Sequence, residues 1–385
     1  MKYKRIEELT SVVTGGTPST SKAEYWDEGD IPWLQSGCCQ NCDVYEAEKY
    51  ITQIGYDNSS TRMMPVDTVM IALTGATAGK IGYLNFEACG NQSITGILPC
   101  DELNQRYLYF YLISQRNKIL ADCIGGAQPH ISQGYVKNMR VPVPTKEEQQ
   151  SIVEKLKGLS AIISQRQKEI ELLDDLIKAR FVEMFGDPVS NEKGWTTRPL
   201  LDMGSCKNGM NFHYDDSGVE INCLGVGDFK DYSIIADTAA LPTVSLNEMP
   251  SPEYLLRDDD IVFVRSNGNK KMVGRSVAVY PGAVPTTFSG FCIRYRREDN
   301  SVITPYLLRV LKAESMRQKM YGRGANIQNL NQQTLSSLDI PVPPKAMQEQ
   351  FAAVVAQIDK SKVAVQAALD KAQLLFDSLM QEYFE

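Results

Sequence analysis

The sequence predicts an α+β protein made of two similar mixed α/β units, separated by long coiled-coil helices that pair with each other, with an internal pseudo-two-fold. Three observations support this fold class. The stretch PVPTKEEQQSIVEKL (142–156) returns as PVPPKAMQEQFAAVV (341–355). DTVMIALTGATAGKIG (67–82) aligns without a gap with DDIVFVRSNGNKKMVG (259–274). After each PVP, apolar residues recur in alternating steps of four and three, which is the spacing of a coiled coil.

Each half repeats one order of elements: a turn with glycine, a strand, a polar glycine-rich loop, another strand, a short helix and then PVP. Near the two starts, Gly15 can be set against Gly209, although GMNF (209–212) also stands where the first half has GTPS (16–19). Apolar β-branched runs predict strands at 68–73, 260–264 and 275–280. Apolar faces at helical spacing predict helices at 104–114 and 304–315. A repeat this long indicates duplicated domains rather than a solenoid.

These elements predict four segments along the chain. They are a first globular domain at 1–144, a first spacer helix at 145–185, a second globular domain at 186–343 and a second spacer helix at 344–385. FGDPVSNEKGW (185–195) contains a proline and two glycines, so it is expected to end the first helix.

The two long helices are predicted to face each other along matched apolar stripes. The predicted seam residues are Ile152, Leu156, Leu159, Ile163, Ile170, Leu173, Ile177, Phe351, Val355, Ile358, Val365, Leu369, Phe376 and Leu379. Arg166, Arg180 and Lys362 also fall in the stripes. They either fix the register of the pair or extend their charged ends out of the seam, and the sequence leaves both readings open.

Composition excludes several classes of protein. The sequence contains no run of eighteen apolar residues, so no membrane span is predicted. The first residues lack the apolar core of a secretory signal. A cytoplasmic location is therefore expected. The nine cysteines are then expected to stay reduced. Cys39 and Cys42 form a CxxC, but no second CxxC follows and the chain has only two histidines, so no metal site is predicted.

Catalytic motifs are also lacking. The loop TGATAGKIG (74–82) departs from a phosphate-binding loop, because three residues rather than four separate Gly75 from Gly79 and Ile81 follows Lys80. The sequence has no motif of an amino-methylating enzyme, no dinucleotide fingerprint, no HExxH and no GxSxG. A chain of this size without such a constellation is interpreted as a binding subunit rather than an enzyme.

The charge is uneven along the chain. The net charge is −7, which argues mildly against nucleic-acid binding. However, the span 257–297 carries eight basic and three acidic residues, and 305–324 and 104–140 each carry five basic and one acidic. A local basic patch can act inside an acidic protein, although an ordinary solvated surface has the same composition.

In both halves, the order of these pieces resembles the specificity (S) subunit of type I restriction–modification systems. In the first half the resemblance lies in TGGTPST (14–20), YWDEGDIPWL (25–34), LTGATAGKIG (73–82), NQSI (91–94) and VPVPTKEEQQSIVEKL (141–156). In the second half it lies in RSNGNKKMVG (265–274) and IPVPPKAMQEQ (340–350). Each fragment is weak alone. Their common order, present twice and followed each time by a heptad helix, is specific.

The resemblance implies two target-recognition domains, each reading one half of a split site in double-stranded DNA, and an antiparallel helix pair that spaces them. It implies no catalysis and no cofactor in this chain. The implied partners are two methyltransferase (M) subunits, which bind S-adenosylmethionine and receive the adenines, and optionally a restriction (R) subunit that uses ATP and magnesium.

Loop residues able to contact bases or phosphates are the predicted DNA-binding residues. They are Thr17, Thr74, Thr77, Lys80, Gln92, Gln128, His130 and Lys137 in the first half, and Arg265, Ser266, Asn267, Lys270, Lys271, Arg275, Arg323, Asn326 and Gln328 in the second. Alternatives stay open at each position. Thr and Ser side chains often close turns, Gln92 could satisfy a buried backbone group, and Lys137 could be a solvated helix residue.

Two competing functions remain. One is a scaffold that holds partner helices through its heptads, with DNA contact incidental. The other is an enzyme whose site the sequence does not reveal. The salt dependence of DNA binding separates the DNA reader from the scaffold, because lysine and arginine contacts to phosphates make affinity fall steeply with salt.

Overall fold

The computed structural model describes residues 2–122, 130–212, 217–229, 233–269, 271–321 and 329–384. The chain divides into two compact units. The first unit is Met1–Gln167 with Gln366–Glu385, and the second unit is Lys168–Val365. Both unit boundaries therefore fall inside the long helices, whereas the sequence places its divisions at the helix ends. The predicted four-segment division stays a prediction.

The first unit and the helix that leaves it contain the following elements. The strands are β1 Tyr3–Arg5, β2 Val12–Thr14, β3 Ile31–Leu34, β4 Cys42–Val44, β5 Lys49–Ile51, β6 Val69–Ala72, β7 Ile81–Leu84, β8 Cys89–Gly90, β9 Ile94–Ile97 and β10 Arg140–Pro142. The helices are α1 Ile6–Leu9, α2 Gln53–Asp57, α3 Gln105–Ser114, α4 Arg116–Ala121, α5 Gln133–Asn138 and α6 Lys146–Phe185.

In the described residues, the second unit and the helix that leaves it contain ten strands, as the first does, and four α-helices where the first has six. The strands are β11 Thr197–Pro199, β12 Gly204–Asn208, β13 Val219–Leu224, β14 Ile234–Ile235, β15 Thr243–Leu246, β16 Asp260–Val264, β17 Ser276–Val279, β18 Thr286–Phe288, β19 Cys292–Arg297 and β20 Asp339–Pro341. The helices are α7 Thr304–Lys312, α8 Glu314–Tyr321, α9 Gln332–Ser336 and α10 Lys345–Phe384. The predicted helix 304–315 ends early, because Ala313 takes an extended conformation with ψ of 136°.

The sheets of the two units have the same strand order. The first unit has β2-β9-β6-β7-β4, β5-β3-β8 and β1-β10, and the second has β12-β19-β16-β17-β14, β15-β13-β18 and β11-β20. In both, the outer strand β4 or β14 runs parallel to its neighbour. The chain thus contains the same mixed helix and sheet architecture twice, which confirms the predicted fold class.

Central strands are apolar throughout because both of their faces are buried. In β6, Val69 and Ile71 join the core under α3, while Met70 and Ala72 point to a second core on the other face of the sheet. β16 alternates in the same way between its two cores. Side chains alternate across a strand, so burial on both sides produces a continuous apolar run, which is the signal that identified these strands.

The repeated motif that begins with PVP, at 142–156 and 341–355, has a structural explanation. In each unit it ends a short edge strand, β10 or β20, paired antiparallel with the first strand of that unit. The glutamine seven residues after the first proline is buried in both copies, Gln149 and Gln348. Gln149 accepts a hydrogen bond from the Asn104 N–H (2.7 Å) and donates to the carbonyls of Glu102 and Pro144 (3.2 and 3.0 Å).

Gln348 makes the matching set of bonds. It accepts from the Ile303 N–H (2.9 Å) and donates to the carbonyls of Ser301 and Pro343 (2.9 Å each). In each unit one buried amide therefore ties the start of a long helix to the loop that precedes α3 or α7. These bonds also establish that Asn104 and Ile303 occupy equivalent positions.

The hairpins β6–β7 and β16–β17 differ in length, so the ungapped alignment of 67–82 with 259–274 is wrong at its end. Ile71 pairs with Ile81, whereas the equivalent Phe263 pairs with Ser276, so the second hairpin is three residues longer (ten residues of separation against thirteen). Gly274 consequently matches Gly79, not Gly82. Both glycines have positive φ (75° and 73°), and each donates its N–H to the end of the preceding strand.

The predicted seam residues of α6 and α10 are all buried or half-buried, with mostly exposed residues between them. In the second unit the two helix segments run antiparallel, because Lys362 contacts Asp174 (2.8 Å) while Phe351 packs against Phe181 and Phe185. Of the polar seam residues, Lys362 thus forms an ion pair with the facing helix, and Arg180 pairs with Glu183 on its own helix (2.7 Å).

Candidate nucleic-acid interface

Four segments of the first unit meet through backbone hydrogen bonds. They are the turn at 15–17 after β2, the loop 73–80 after β6, the loop 91–93 before β9 and the segment 130–131 before α5; we call them the first loop cluster. Gly16 N–H donates to the Gly90 carbonyl (2.8 Å), Leu73 N–H to Ser93 (2.8 Å), and Ile131 N–H to Leu73 (2.8 Å). A bridge between Thr74 and His130 completes the set.

Several predicted residues lie together on the first loop cluster. Thr17 and Gln92 are exposed and hydrogen-bonded to each other, Oγ1 to Oε1, at 2.5 Å. Thr74 Oγ1 lies 2.9 Å from Ser93 Oγ, and His130 is exposed. The interpretation of Gln92 as a ligand for buried backbone is therefore wrong. The cluster presents amide, hydroxyl and imidazole groups, which are the groups that hydrogen-bond base edges.

The second unit contains a matching arrangement, the second loop cluster, formed by 209–211, 265–269, 289–291 and 329–330. Arg265 N–H donates to the Phe291 carbonyl (2.7 Å), and Leu330 N–H donates to Arg265 (2.8 Å). Met210 N–H donates to Phe288 (3.1 Å). Ser266 forms a bridge with Asn329, and their side chains are hydrogen-bonded.

The matching bonds give the correspondence between the two clusters. Gly15 matches Gly209, since Thr14 and Asn208 pair with equivalent residues of β9 and β19. An added Cβ would clash with the same two carbonyls in both, those of Gly90 and Asn91 at Gly15 (1.9 and 2.3 Å) and those of Phe288 and Ser289 at Gly209 (2.5 and 2.1 Å). The alternative that sets GMNF against GTPS from Gly16 is wrong by one residue. Asn211 then corresponds to Thr17, and Gly290 corresponds to Gln92. Asn211 packs on Gly290, whose added Cβ would lie 2.1 Å from Asn211 Oδ1.

Phe291 is a residue that the sequence reasoning missed. Its side chain is 61% exposed, yet its backbone is held firmly, because its carbonyl accepts from the N–H groups of Arg265 and Ser266 (2.7 and 3.3 Å). The Arg265 guanidinium donates to the adjacent Gly290 carbonyl (3.2 Å). Phe291 occupies the position of Ser93 in the first unit. Each directly precedes the equivalent strand, β9 or β19, and each accepts a backbone hydrogen bond from the equivalent residue, Leu73 or Arg265. An alignment of the two loops would therefore have pointed to Phe291.

Other predicted residues lie elsewhere or serve the loops. Lys80 donates to Gln40 (2.6 Å), and Asn267 Oδ1 accepts the Asn269 N–H (2.8 Å), so Asn267 closes a turn. Lys271 is exposed beside this turn. Arg275 follows Gly274 and lines a cavity of the second unit.

Of the rest, Thr77 ends a short 3-10 turn and Lys137 is half-buried on α5. Five predicted residues lie outside the described residues: Gln128, Lys270, Arg323, Asn326 and Gln328.

Ion pairs inside each unit neutralise charges near the sheets. Arg106 donates to Asp43 (2.7 Å) and stacks over the Tyr83 ring (3.4 Å to its centroid). Burial opposes ionisation of Asp43, but the hydrogen bonds from Arg106 and Asn85, together with the Arg106 charge, outweigh it and lower the pKa of that carboxyl. In the second unit, Arg296 pairs with the buried Asp260 (2.7 Å). These cations serve the fold and are not available to a ligand.

Within the described ranges, no three His, Cys, Asp or Glu side chains are grouped so that they could hold a metal ion. The part of the chain that the structure describes also contains no helix long and apolar enough to cross a membrane. The cysteines among these residues are free thiols.

Comparisons with known proteins follow the same duplication. A family model described as "Type I restriction modification DNA specificity domain" matches residues 1–172 and again 192–372. The chain is 28% identical over 228 residues to the type I restriction enzyme MjaIX specificity subunit of Methanocaldococcus jannaschii, covering 54% of this chain and 52% of that one. It is 23% identical over 409 residues to the StySPI specificity subunit of Salmonella potsdam, covering 98% and 87%.

The chain therefore spans about half the length of the first of these curated relatives. Among solved structures, a type I restriction–modification S subunit from M. genitalium has a similar fold, with a TM-score of 0.59 at 16% identity. That match covers 100% of this chain and 96% of the other. This match supports the fold assignment.

Proposed function

Since the chain belongs to the type I restriction modification DNA specificity family and carries its domain twice, we propose that it is the DNA-reading subunit of a restriction–modification complex. Each unit reads one half of a bipartite site in double-stranded DNA. One observation carries this proposal: the two loop clusters share their backbone hydrogen bonds but expose different side chains.

That combination suits a pair of readers with different targets. Base edges in the major groove are distinguished by side-chain donors and acceptors, while phosphate contacts only position the protein. Thr17, Gln92 and His130 would read one half-site. Asn211, Phe291 and Asn329 would read the other, with Phe291 offering an apolar contact to a thymine methyl group or an unstacked base. Lys271 beside the second cluster suits a phosphate.

We further propose that the chain performs no chemistry itself and presents adenines to two methyltransferase subunits, which bring S-adenosylmethionine. A restriction subunit using ATP and magnesium would join optionally. The long helices support partner docking, since Leu172 and Leu176 on α6 and Leu374 and Leu375 on α10 are at least half exposed. Such apolar side chains on a helix favour packing against another helix.

The most direct test maps methylated adenines in cells that carry this chain with its methyltransferase partner. We expect a split motif with a constant gap, which gives both half-sites at once. Deleting this chain while keeping the partner is the control and should abolish the methylation. Methylation at a continuous motif, or unchanged without this chain, would contradict the proposal.

Binding experiments separate the competing functions. For a DNA reader, log K falls steeply with log salt, whereas weak and salt-independent DNA binding favours the scaffold. Methyl transfer by the chain alone, with S-adenosylmethionine and DNA, would favour the enzyme.

The net charge of −7 leads to a further expectation. Because the chain is acidic overall, the methyltransferase subunits should supply much of the basic surface that surrounds the duplex. DNA affinity measured with and without them should differ strongly, and equal affinities would count against this part of the proposal.

A further inference from the structure

The second unit contains a cavity of about 680 Å³ beside its main sheet. It lies between the start of β17, the end of α7, the start of α8 and α6, away from the residues assigned to the second loop cluster. Its walls combine aromatic side chains, Phe181 and Phe229, with Ser276, Arg309 and Lys312. The volume falls within the range of about 300–1,000 Å³ that is usual for small-molecule sites.

Ser276 gives the first indication of a ligand. The residue is 3% exposed, and its Oγ has no hydrogen-bond partner among the described residues. The side chain lies on the face of the sheet that α7 covers, since its neighbours Phe263 and Ala278 are in that core. A buried hydroxyl without a partner costs roughly 1–3 kcal/mol, so a ligand that hydrogen-bonds it in the cavity would relieve this cost.

Two cations beside Ser276 give the second indication. Burial lowers the pKa of both Arg309 and Lys312, and it brings that of Lys312 to about 7. Lys312 donates to Ser233 (2.8 Å). Arg309 makes no ion pair within 4 Å in the described part of the chain, although Asp174 and Asp359 act on it from further away. Arg309 is half-buried, and a guanidinium that loses much of its hydration is costly unless an anion faces it.

The equivalent place in the first unit has apolar side chains instead of the polar ones that line the cavity. From the hairpin pairing, Ile81 occupies the place of Ser276. Counting from the equivalent Asn104 and Ile303, Phe110 matches Arg309 and Ile113 matches Lys312. Ile81 and Phe110 are buried in one apolar core, with Phe110 stacked on Phe376 at 6.1 Å. Three apolar side chains thus fill the space that a hydroxyl and two cations line in the second unit.

We propose that this cavity binds a small organic molecule through a phosphate group. Arg309 would hold two phosphate oxygens with its planar fork, Lys312 would add a point charge, and Ser276 would donate its hydroxyl. Phe181 and Phe229 would contact the organic part. This site does not depend on DNA recognition by the loop clusters.

The acidic residues of the wall do not oppose this assignment. Asp174 is bound by Lys362 (2.8 Å), Asp187 accepts from Ser315 (2.5 Å), and Glu314 is exposed to solvent. Their charges are therefore satisfied away from the phosphate position or screened by water.

Binding of AMP, inorganic phosphate and adenosine to the full chain tests the proposal, by calorimetry and by the shift in melting temperature. We expect AMP and phosphate to bind and adenosine to bind at least about tenfold more weakly than AMP, because the charged hydrogen bonds to phosphate are lost. Failure of both phosphate probes, or equal binding of adenosine and AMP, would overturn the proposal.

The first unit supplies the matched variant. Replacing the three polar residues by their first-unit counterparts, Ser276→Ile with Arg309→Phe and Lys312→Ile, should fill the cavity and abolish AMP binding. Arg309→Gln alone guards against a misfolded triple variant and should weaken AMP binding more than tenfold. Lys319→Gln removes an exposed cation of α8 that does not line the cavity and should leave binding unchanged. Wild-type affinity in the Arg309→Gln variant would refute the site.

The dependence on pH gives an independent readout with sulfate, which does not itself titrate near neutrality. An anion binds the protonated Lys312, so affinity should fall roughly tenfold from pH 6 to pH 8 and be flat in Lys312→Met. Among the described residues, the charged groups that act on Lys312 include Arg309, Asp174, Lys362 and Arg275. A flat profile for the wild-type chain would remove Lys312 from the site.

Discussion

The two loop clusters have the same backbone and different side chains. In the first cluster, the Thr17 hydroxyl donates a hydrogen bond to the Gln92 side chain. At the matching positions of the second cluster, the Asn211 side chain packs against Gly290. Ser93 of the first corresponds to the exposed Phe291 of the second. The bonds that the two clusters have in common join main-chain groups, so the exposed side chains can differ while the backbone stays the same. This difference shows how one fold can be used twice for different targets.

The largest expected effect tests the common scaffold. Gln149→Ala and Gln348→Ala should each destabilise the chain by about 2–4 kcal/mol, because each leaves a buried N–H and two carbonyls without their partner. Urea unfolding followed by circular dichroism measures the loss. The exposed Gln150→Ala and Gln350→Ala are the controls and should cost little. A large loss at one glutamine and none at the other would show that the units are not built alike.

The second prediction tests whether the side chains differ in function. Gln92→Ala should reduce discrimination in one half-site only, and Phe291→Ala in the other half-site only, by about 1–3 kcal/mol per affected base pair. Competition binding with DNA variants measures this, once the site is known from methylation mapping. Tyr45→Ala removes another exposed aromatic outside both clusters and should change neither half. If Gln92→Ala and Phe291→Ala affect the same half-site, the assignment of one half to each unit fails.

The third prediction concerns phosphate contacts near the second cluster. Lys270→Ala with Lys271→Ala should weaken binding to all sequences alike and make the slope of log K against log salt shallower by about two. Glu298→Gln, which changes the charge by one unit in the opposite direction at an exposed acidic residue, provides a comparison for general electrostatics. An unchanged slope in the double lysine variant would exclude phosphate contact there.

Much of the fold could be predicted from the sequence because its signals are local. The strand around Val262 is a continuous apolar run, and the stripes of α6 and α10 follow heptad spacing, so neither depended on distant contacts. Two identities, Asp67 with Asp259 and Gly82 with Gly274, made the ungapped alignment persuasive. Both aspartates do share a left-handed conformation (φ of 67° and 70°). The two glycines do not correspond, because the second hairpin has three additional residues before Gly274. The sequence did not reveal this insertion, since it lies in a loop without a periodic pattern.

The missed residues share one cause. Phe291 could not be found until its loop was aligned with Ser93, and that alignment rests on hydrogen bonds rather than on sequence similarity. The cavity likewise becomes visible only when Ser276 is set against Ile81, three residues away from the position that the ungapped alignment gives. Insertions within a repeat thus conceal the positions at which two copies have diverged.

The smallest expected effect tests the corrected correspondence directly. Gly79→Ala and Gly274→Ala should each cost about 1–2 kcal/mol, because both positions have positive φ, which an L-residue with a Cβ adopts only under strain. Gly274 should be slightly worse, since its Cβ would lie 3.3 Å from Met320 Sδ, whereas nothing approaches within 3.6 Å at Gly79. Urea unfolding measures both. Gly158→Ala in the exposed interior of α6 is the control and should instead stabilise by up to about 1 kcal/mol. If alanine is tolerated at Gly79 but not at Gly274, the two hairpins do not share this turn and the equivalence of Ile81 with Ser276 loses its support.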